Sequence, residues 1–267
     1  MKLNSSGSVL LVSVAIVAAA ACVHPVTLAQ ATKAPEGQGT APAVLVELFT
    51  SEGCSSCPPA DDLLRQINGR KTAAGQLIVA LSEHVSYWNG LGWRDPFSSE
   101  LYTNRQNEYS AHFGLNGVYT PQMVVNGREQ LVGGDRRSLE AAFAAESKRK
   151  QIELHITSAQ VGDKNVTFSY SASGIPAHSS LQLVAVLVDD MDRSNVARGE
   201  NSGWELVHIS VARAFAPLGM LLETDQRTLT LPLPASFHSN SGTGHHLVIF
   251  AQQSGPGAVM GVDTTPI

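Results

Sequence analysis

The apolar and polar positions of this chain fall into three regimes. From Val9 to Ala21 the sequence is apolar apart from Ser13. That length suits the core of a signal peptide and falls short of the roughly 20 residues a membrane-spanning helix needs. Small-x-small triplets follow at Thr27-Leu28-Ala29 and Ala29-Gln30-Ala31. Residues 1–31 are therefore expected to be a leader removed on export, and residues 32–42 a flexible segment.

The second regime, residues 43–150, alternates strand-like runs with helical spacing. Ala43 to Thr50 and Gln76 to Ser82 read as short buried strands. Leu63, Leu64 and Ile67 recur at helical spacing after Cys57, and Ser99 to Phe113 and Ser138 to Lys148 are further helices. Asn126-Gly127 lies between the apolar runs Gln122-Met123-Val124-Val125 and Gln130-Leu131-Val132, a strong short hairpin signal. From Ile152 the period changes to strict alternation. Short strands are expected around Ile152–Ile156, Val166–Tyr170, Leu181–Val188, Leu206–Ala214, Thr228–Leu233, Leu247–Ala251 and Val259–Val262, separated by Gly, Pro, Ser and Asn. The fold expected is an α/β unit over 43–150 followed by a mostly-β, sandwich-like domain over 151–267.

Composition narrows the function. Apolar residues are 43% and charged residues 15% of the 267, which supports a buried core and excludes a disordered chain. Net charge is -5, with no Lys/Arg run to hold a phosphate backbone, so no nucleic-acid partner is expected. No stretch is long and apolar enough for an integral membrane span, and no cofactor motif stands out. The 3 cysteines are too few for a disulfide scaffold. Cys22 follows Ala19-Ala20-Ala21 and offers an alternative reading as a lipid-anchor site, although such sites usually carry a large aliphatic where Ala19 stands. Cys54 and Cys57 remain in the folded body, spaced CxxC. A loop this short stabilises little as a staple, because the effect of a disulfide grows with loop length. Redox work or metal binding are the stronger explanations.

The residues around that pair carry a resemblance. Cys54-x-x-Cys57 directly after a strand, Thr120-Pro121 before a strand, and the Asn126-Gly127 hairpin leading through Gly133-Gly134 to a last helix resemble the thioredoxin superfamily over residues 43–150. Within it, Glu47 through Asp61, Tyr87-Trp88-Asn89, Gly92-Trp93, Asp95-Pro96-Phe97 and Tyr119-Thr120-Pro121-Gln122 are similar to a secreted bacterial family of unknown function. The resemblance implies a central mixed sheet flanked by helices, and an exported, periplasmic or secreted thiol–disulfide oxidoreductase acting on protein or small-molecule thiols and disulfides. Cys54 would be the nucleophile, favoured as thiolate by a helix N-terminus, and Cys57 the resolving thiol. Glu52, Asp61 and Asp62 lie nearby in sequence and would oppose that thiolate. Pro121 would be a cis-proline beside the pair, with Thr120 and Trp88 contacting substrate.

Thioredoxins use a buried carboxylate in the first strand to take a proton from the resolving thiol, and Glu47 is the candidate acid/base here. It has one residue more before the first cysteine than that pattern, a change that moves a strand side chain to the opposite face. The alternative is a metal-binding or redox-inert partner-binding module, with Cys54, Cys57 and His84 holding a soft ion such as Cu(I). Tyr87, Trp88, Trp93 and Phe97 would line an apolar peptide groove, cap the core, or face the C-terminal domain, which would then shield the site. Arg198-Gly199-Glu200-Asn201 with Trp204 and His208 form the one polar-rich cluster of that domain, either a contact loop or a site.

Overall fold

β1 (Ala43–Thr50) is buried along its whole length, with apolar residues on both of its faces. The computed structural model describes Met1, residues 42–235, residue 237 and residues 244–267. The leader expected over 1–31, most of the segment to residue 42, and Cys22 lie outside the described residues. β1 is followed by α1 (Pro58–Ile67), β2 (Leu77–His84), α2 (Glu100–His112), β3 (Gln122–Val125), β4 (Glu129–Val132) and α3 (Arg136–Glu146). Local chemistry sets the helix starts. Ser99 caps α2 by accepting the Leu101 N–H at 3.2 Å, and Asp135 caps α3 by accepting the Ser138 N–H at 3.1 Å. The β3–β4 hairpin turns at Asn126 and Gly127, whose φ values of 47° and 61° suit those residue types.

β1 pairs in parallel with β2 and antiparallel with β3. Its alternation sorts the layers. Val44, Val46 and Leu48 face α1 and α3, in one cluster with Leu63, Leu64, Ile67, Leu139 and Phe143. Ala43 and Leu45 face the other way, in a cluster that includes Tyr102 of α2.

The C-terminal half supplies β5 (Glu153–Val161), β6 (Asn165–Ser173), β7 (Leu181–Asn195), β8 (Glu205–Met220), β9 (Asp225–Pro232), β10 (His245–Gln253) and β11 (Val259–Pro266). Here the structure departs from the expected separate domain over 151–267. Four of these strands continue the first sheet, in the order β11-β10-β7-β8-β2-β1-β3-β4, while β5-β6-β9 form a second sheet. The reason lies in β7. Leu183, Ala185 and Leu187 pack toward the small sheet with Val166, Phe168 and Tyr170, and Val184, Val186 and Val188 pack toward Leu45, Leu81 and Tyr102. A strand apolar on both faces needs cover on both sides, so sheet-on-sheet packing exists but shares a sheet with the first half. That sheet curls, because Val259 and Val262 of β11 join the cluster of Ala43 and Leu45 of β1. Among the described residues no helix is long and apolar enough to cross a membrane.

Inside the curl sits a buried ion pair. Arg105 of α2 donates from Nε to Glu47 at 2.6 Å and from Nη2 to Tyr109 and Gln252 at 3.0 and 3.1 Å. Tyr109 donates to the other Glu47 oxygen at 2.6 Å. The guanidinium also stacks on Tyr109, Phe215 and Phe250, 4.7–5.6 Å from their centroids. Burial, then the Glu47 charge, pushes the neighbouring Glu83 carboxyl well above the usual carboxylate range. Glu47 is thus held on the α2 face by an arginine and a tyrosine, away from the face that carries α1. This corrects its candidate role as acid/base for the cysteines, and the extra residue between it and Cys54 is the cause.

Removing the cation would leave Glu47 buried and unpaired. Arg105→Met is expected to destabilise the chain by about 3–5 kcal/mol. Urea denaturation would show this as a lower midpoint, and an unchanged midpoint would contradict the assignment.

Candidate functional site

The chain leaves β1 through Ser51-Glu52-Gly53, and the Cys54 N–H donates to Ser51 O at 3.1 Å. Cys57 is the N-cap of α1, with Pro58 opening the helix at a position where a backbone N–H would be unpaired in any case. Asp61 N and Ala60 N donate to Cys57 O at 3.1 and 2.8 Å. Cys54 and Cys57 form a disulfide with a Cα–Cα distance of 5.4 Å, within the usual range. Ser56 Oγ lies 3.4 Å from Cys54 Sγ. Both cysteines have zero solvent exposure.

One wall is built by Trp88, Thr120 and Pro121. The Trp88 indole N–H donates to Thr120 Oγ1 at 2.9 Å, and the Trp88 Cβ lies against Gly53, 3.0 Å from where a side chain would begin. The Thr120–Pro121 peptide is cis. Gly133 lets Pro121 approach α1, because a Cβ there would sit 2.9 Å from both Pro121 Cβ and Ala60 Cβ. Trp88 thus meets Thr120 and the residue before Cys54, and Pro121 meets α1 across Gly133.

The other wall comes from the connection between β7 and β8. Ser55 N donates to a Glu200 carboxylate oxygen at 3.0 Å, and the Asn201 amide donates to the carbonyls of Glu52 and Cys54 at 2.9 and 3.0 Å. Gly199 packs on Trp93, whose indole N–H donates to Glu52 Oε2 at 2.6 Å. The polar cluster at 198–201 is thus a contact loop and part of the site at once.

Behind the pair lies a buried set of charges. His208 of β8 stands between two carboxylates, with Nε2 3.4 Å from Glu52 and Nδ1 3.9 Å from Asp61. Burial alone would lower its pKa, but the Asp61 and Glu52 carboxylates beside it raise it to about 10. Thr50 Oγ1 donates to Asp61 at 3.3 Å. His84 Nδ1 and Asp95 Oδ2 are 2.7 Å apart, and Asp95 also accepts the N–H groups of Glu52 and Phe97 at 2.8 and 2.9 Å. Burial opposes ionisation of Asp95, yet His84 and these donors hold it down at about 2. The His84 ring packs edge-on to His208 and Phe97.

These placements settle several residues. His84 is engaged by Asp95 while the sulfurs bond each other, and among the described residues no group of three or more His, Cys, Asp or Glu is arranged for a metal. Trp93 and Phe97 face the C-terminal half, at Gly199 and His208, whereas Trp88 stays beside Thr120. Asp62 is an exposed partner of Arg65. Reasoning from sequence did not find Arg105, Tyr109 or the pairing of Asp61 with His208. Those contacts join segments far apart in the chain, and no local motif marks them.

The pairing of His208 has a pH signature. An unfolded histidine titrates near 6.5, and the folded one near 10. Its stabilisation is fully present below the first value and is lost as pH rises through the second. The stability advantage of wild type over His208→Gln is therefore expected to shrink steadily from pH 7 to pH 10, read as the difference in Tm by circular dichroism. A constant difference would place the imidazole outside the carboxylate pairing.

Among curated proteins, none matches the sequence. The chain is similar to the crystal structure of a protein from Agrobacterium tumefaciens, with 31% identity and a TM-score of 0.61 over 84% of this chain and 94% of that one. It is similar in fold to HBP35 of Porphyromonas gingivalis, with 14% identity and a TM-score of 0.58 over 86% and 77% of the two chains. The family model described as Protein of unknown function (DUF1223) matches residues 45–252. This chain belongs to that family.

Proposed function

We propose that the protein is an exported thiol–disulfide oxidoreductase in which Cys54 and Cys57 are the redox pair of a thioredoxin-like unit. The observation that carries this reading is a CxxC disulfide closed at the first turn of α1. There the unpaired N–H groups and dipole of the helix favour a thiolate. The element order β1-α1-β2-α2-β3-β4-α3, with α1 and α3 on one face and α2 on the other, supports the thioredoxin-like assignment. The apolar run from Val9 to Ala21 supports export.

In the reaction, a substrate thiolate attacks Cys54 Sγ. A new S–S bond forms, the Cys54–Cys57 bond breaks, and its electron pair leaves on Cys57, which takes a proton from water. A second substrate thiolate then attacks the substrate sulfur of the mixed disulfide. The substrate leaves oxidised as a disulfide and Cys54 leaves as a thiolate. Run backward, the same steps reduce a substrate disulfide. Partners on this reading are protein or small-molecule thiols and disulfides.

The burial of both sulfurs favours a second reading, a redox-inert module in which the disulfide is structural. Turnover separates the two. Wild-type protein is expected to accelerate insulin reduction by dithiothreitol, or oxidation of a reduced dithiol peptide, while Cys54→Ser and Cys57→Ser do not. Equal rates for wild type and both variants in both assays would leave the inert module standing.

A further inference from the structure

A disulfide that exchanges must be reached in line by a thiolate, yet Cys54 and Cys57 are wholly covered. The β7–β8 connection, residues 196–204, is hydrogen-bonded to the main chain of the cysteine segment and is braced internally. Val196 N donates to Trp204 O at 2.9 Å, Gly203 N to Val196 O at 2.8 Å, and Trp204 N to Asn201 O at 3.1 Å. One face of the strand ends that carry it is in solvent, where Arg193 and Glu205 pair with 60% and 54% of their side chains exposed, and the other is buried at Val196, Leu206 and His208. Local opening of such a turn breaks the turn's own contacts without global unfolding.

Besides the packing of Gly199 on Trp93, hydrogen bonds to main-chain groups hold the loop closed. Glu200 occupies the N–H of Ser55, and Asn201 occupies the carbonyls of Glu52 and Cys54. All three partners are main-chain groups of the segment that carries the cysteine. Asn201 is 3% exposed, so little water competes with its amide. Leu91, next to Gly199, and Trp204, at the end of the loop, are each 60% exposed.

We propose that Glu200 and Asn201 set the specificity of the exchange in favour of cysteine-bearing extended polypeptides over small thiols, an inference that rests on the redox reading above. A polypeptide displacing the loop offers a backbone C=O to the Ser55 N–H and backbone N–H groups to the Glu52 and Cys54 carbonyls, the exchange of main-chain bonds seen when an extended peptide pairs with an open backbone edge. Its apolar side chains cover Leu91 and Trp204. A small thiol carries none of these groups and reacts only in the fraction of molecules already open.

The test is the initial rate of mixed-disulfide formation on the full chain, trapped with acid and read by mass spectrometry. 2-Mercaptoethanol is compared with a ten-residue peptide containing one cysteine, at equal thiolate concentration. Asn201→Ala is expected to raise the 2-mercaptoethanol rate about tenfold, the effect of losing one or two hydrogen bonds on an opening equilibrium. The peptide rate should rise less, so that the preference for peptide falls. Glu200→Ala should move both rates in the same directions by a smaller factor and speed hydrogen exchange of the Ser55 amide. Should Asn201→Ala not fold, by circular dichroism, the Glu200→Ala rates and that exchange decide alone. Unchanged small-thiol rates in the folded variants, or a wild-type chain with no preference for peptide, would overturn the proposal. Trapping follows a single stoichiometric attack, so it stands or falls separately from turnover in the insulin assay.

Discussion

The seating of β8 beside β2 is the constraint from which the site follows. The backbone register there is short, with Ser82 opposite Val211, and side chains reinforce the seam. Tyr102 donates to Ala212 O at 2.6 Å and Asn68 to Ser210 Oγ at 3.0 Å. Once β8 is fixed, His208 rises against α1 and the β7–β8 connection falls across Ser55. Detaching the C-terminal strands would remove the Glu200 and Asn201 bonds to the cysteine segment and leave Glu52 and Asp61 without the His208 cation. The C-terminal half is therefore part of the cysteine site, even though it supplies none of the sulfur chemistry.

Charge at the start of α1 is arranged to keep carboxylates from dominating the sulfurs. Glu52 and Asp61 are both buried, and their negative potential alone would counter the preference of a helix N-terminus for a thiolate. An imidazolium between them cancels part of that potential. The second buried network, Arg105 with Glu47, lies on the opposite face of the sheet and serves packing. Two groups of buried carboxylates in one small unit thus have different work, and the face of β1 or β2 from which each is reached separates them.

The helices, the first strands and the Asn126-Gly127 hairpin were legible because each carries a local signal: helical spacing at Leu63, Leu64 and Ile67, capping at Ser99, turn chemistry at Gly127. The CxxC pair and its neighbours Trp88, Thr120 and Pro121 were legible as a motif. The shared sheet was signalled only weakly. Leu183 to Val188 is apolar at every position, which distinguishes a doubly covered strand from the alternating kind at Ile152–Ile156, but such a run does not say which strand lies beside it. The roles of Glu47 and His208 depended on that missing neighbour. Position in β1 points Glu47 away from α1, and long-range pairing brings His208 to Asp61, so neither could be read from residues nearby in the chain.

The nature of the contacts over Cys54 decides what kind of cover the loop is. The apolar part of the contact, Gly199 on Trp93, exposes hydrophobic surface on opening, and a partner needs matching side chains to recover that loss. Hydrogen bonds from Glu200 and Asn201 to main-chain groups have a different property, because every polypeptide carries the replacement. The free energy of opening falls on all thiols equally, but a chain that can pair with the N–H of Ser55 and the carbonyls of Glu52 and Cys54 recovers it on binding. Selectivity then comes from a generic feature of the substrate, its backbone, and does not require a fixed sequence around its cysteine. On the redox reading, a disulfide with that kind of latch would accept many polypeptide partners and still resist small thiols.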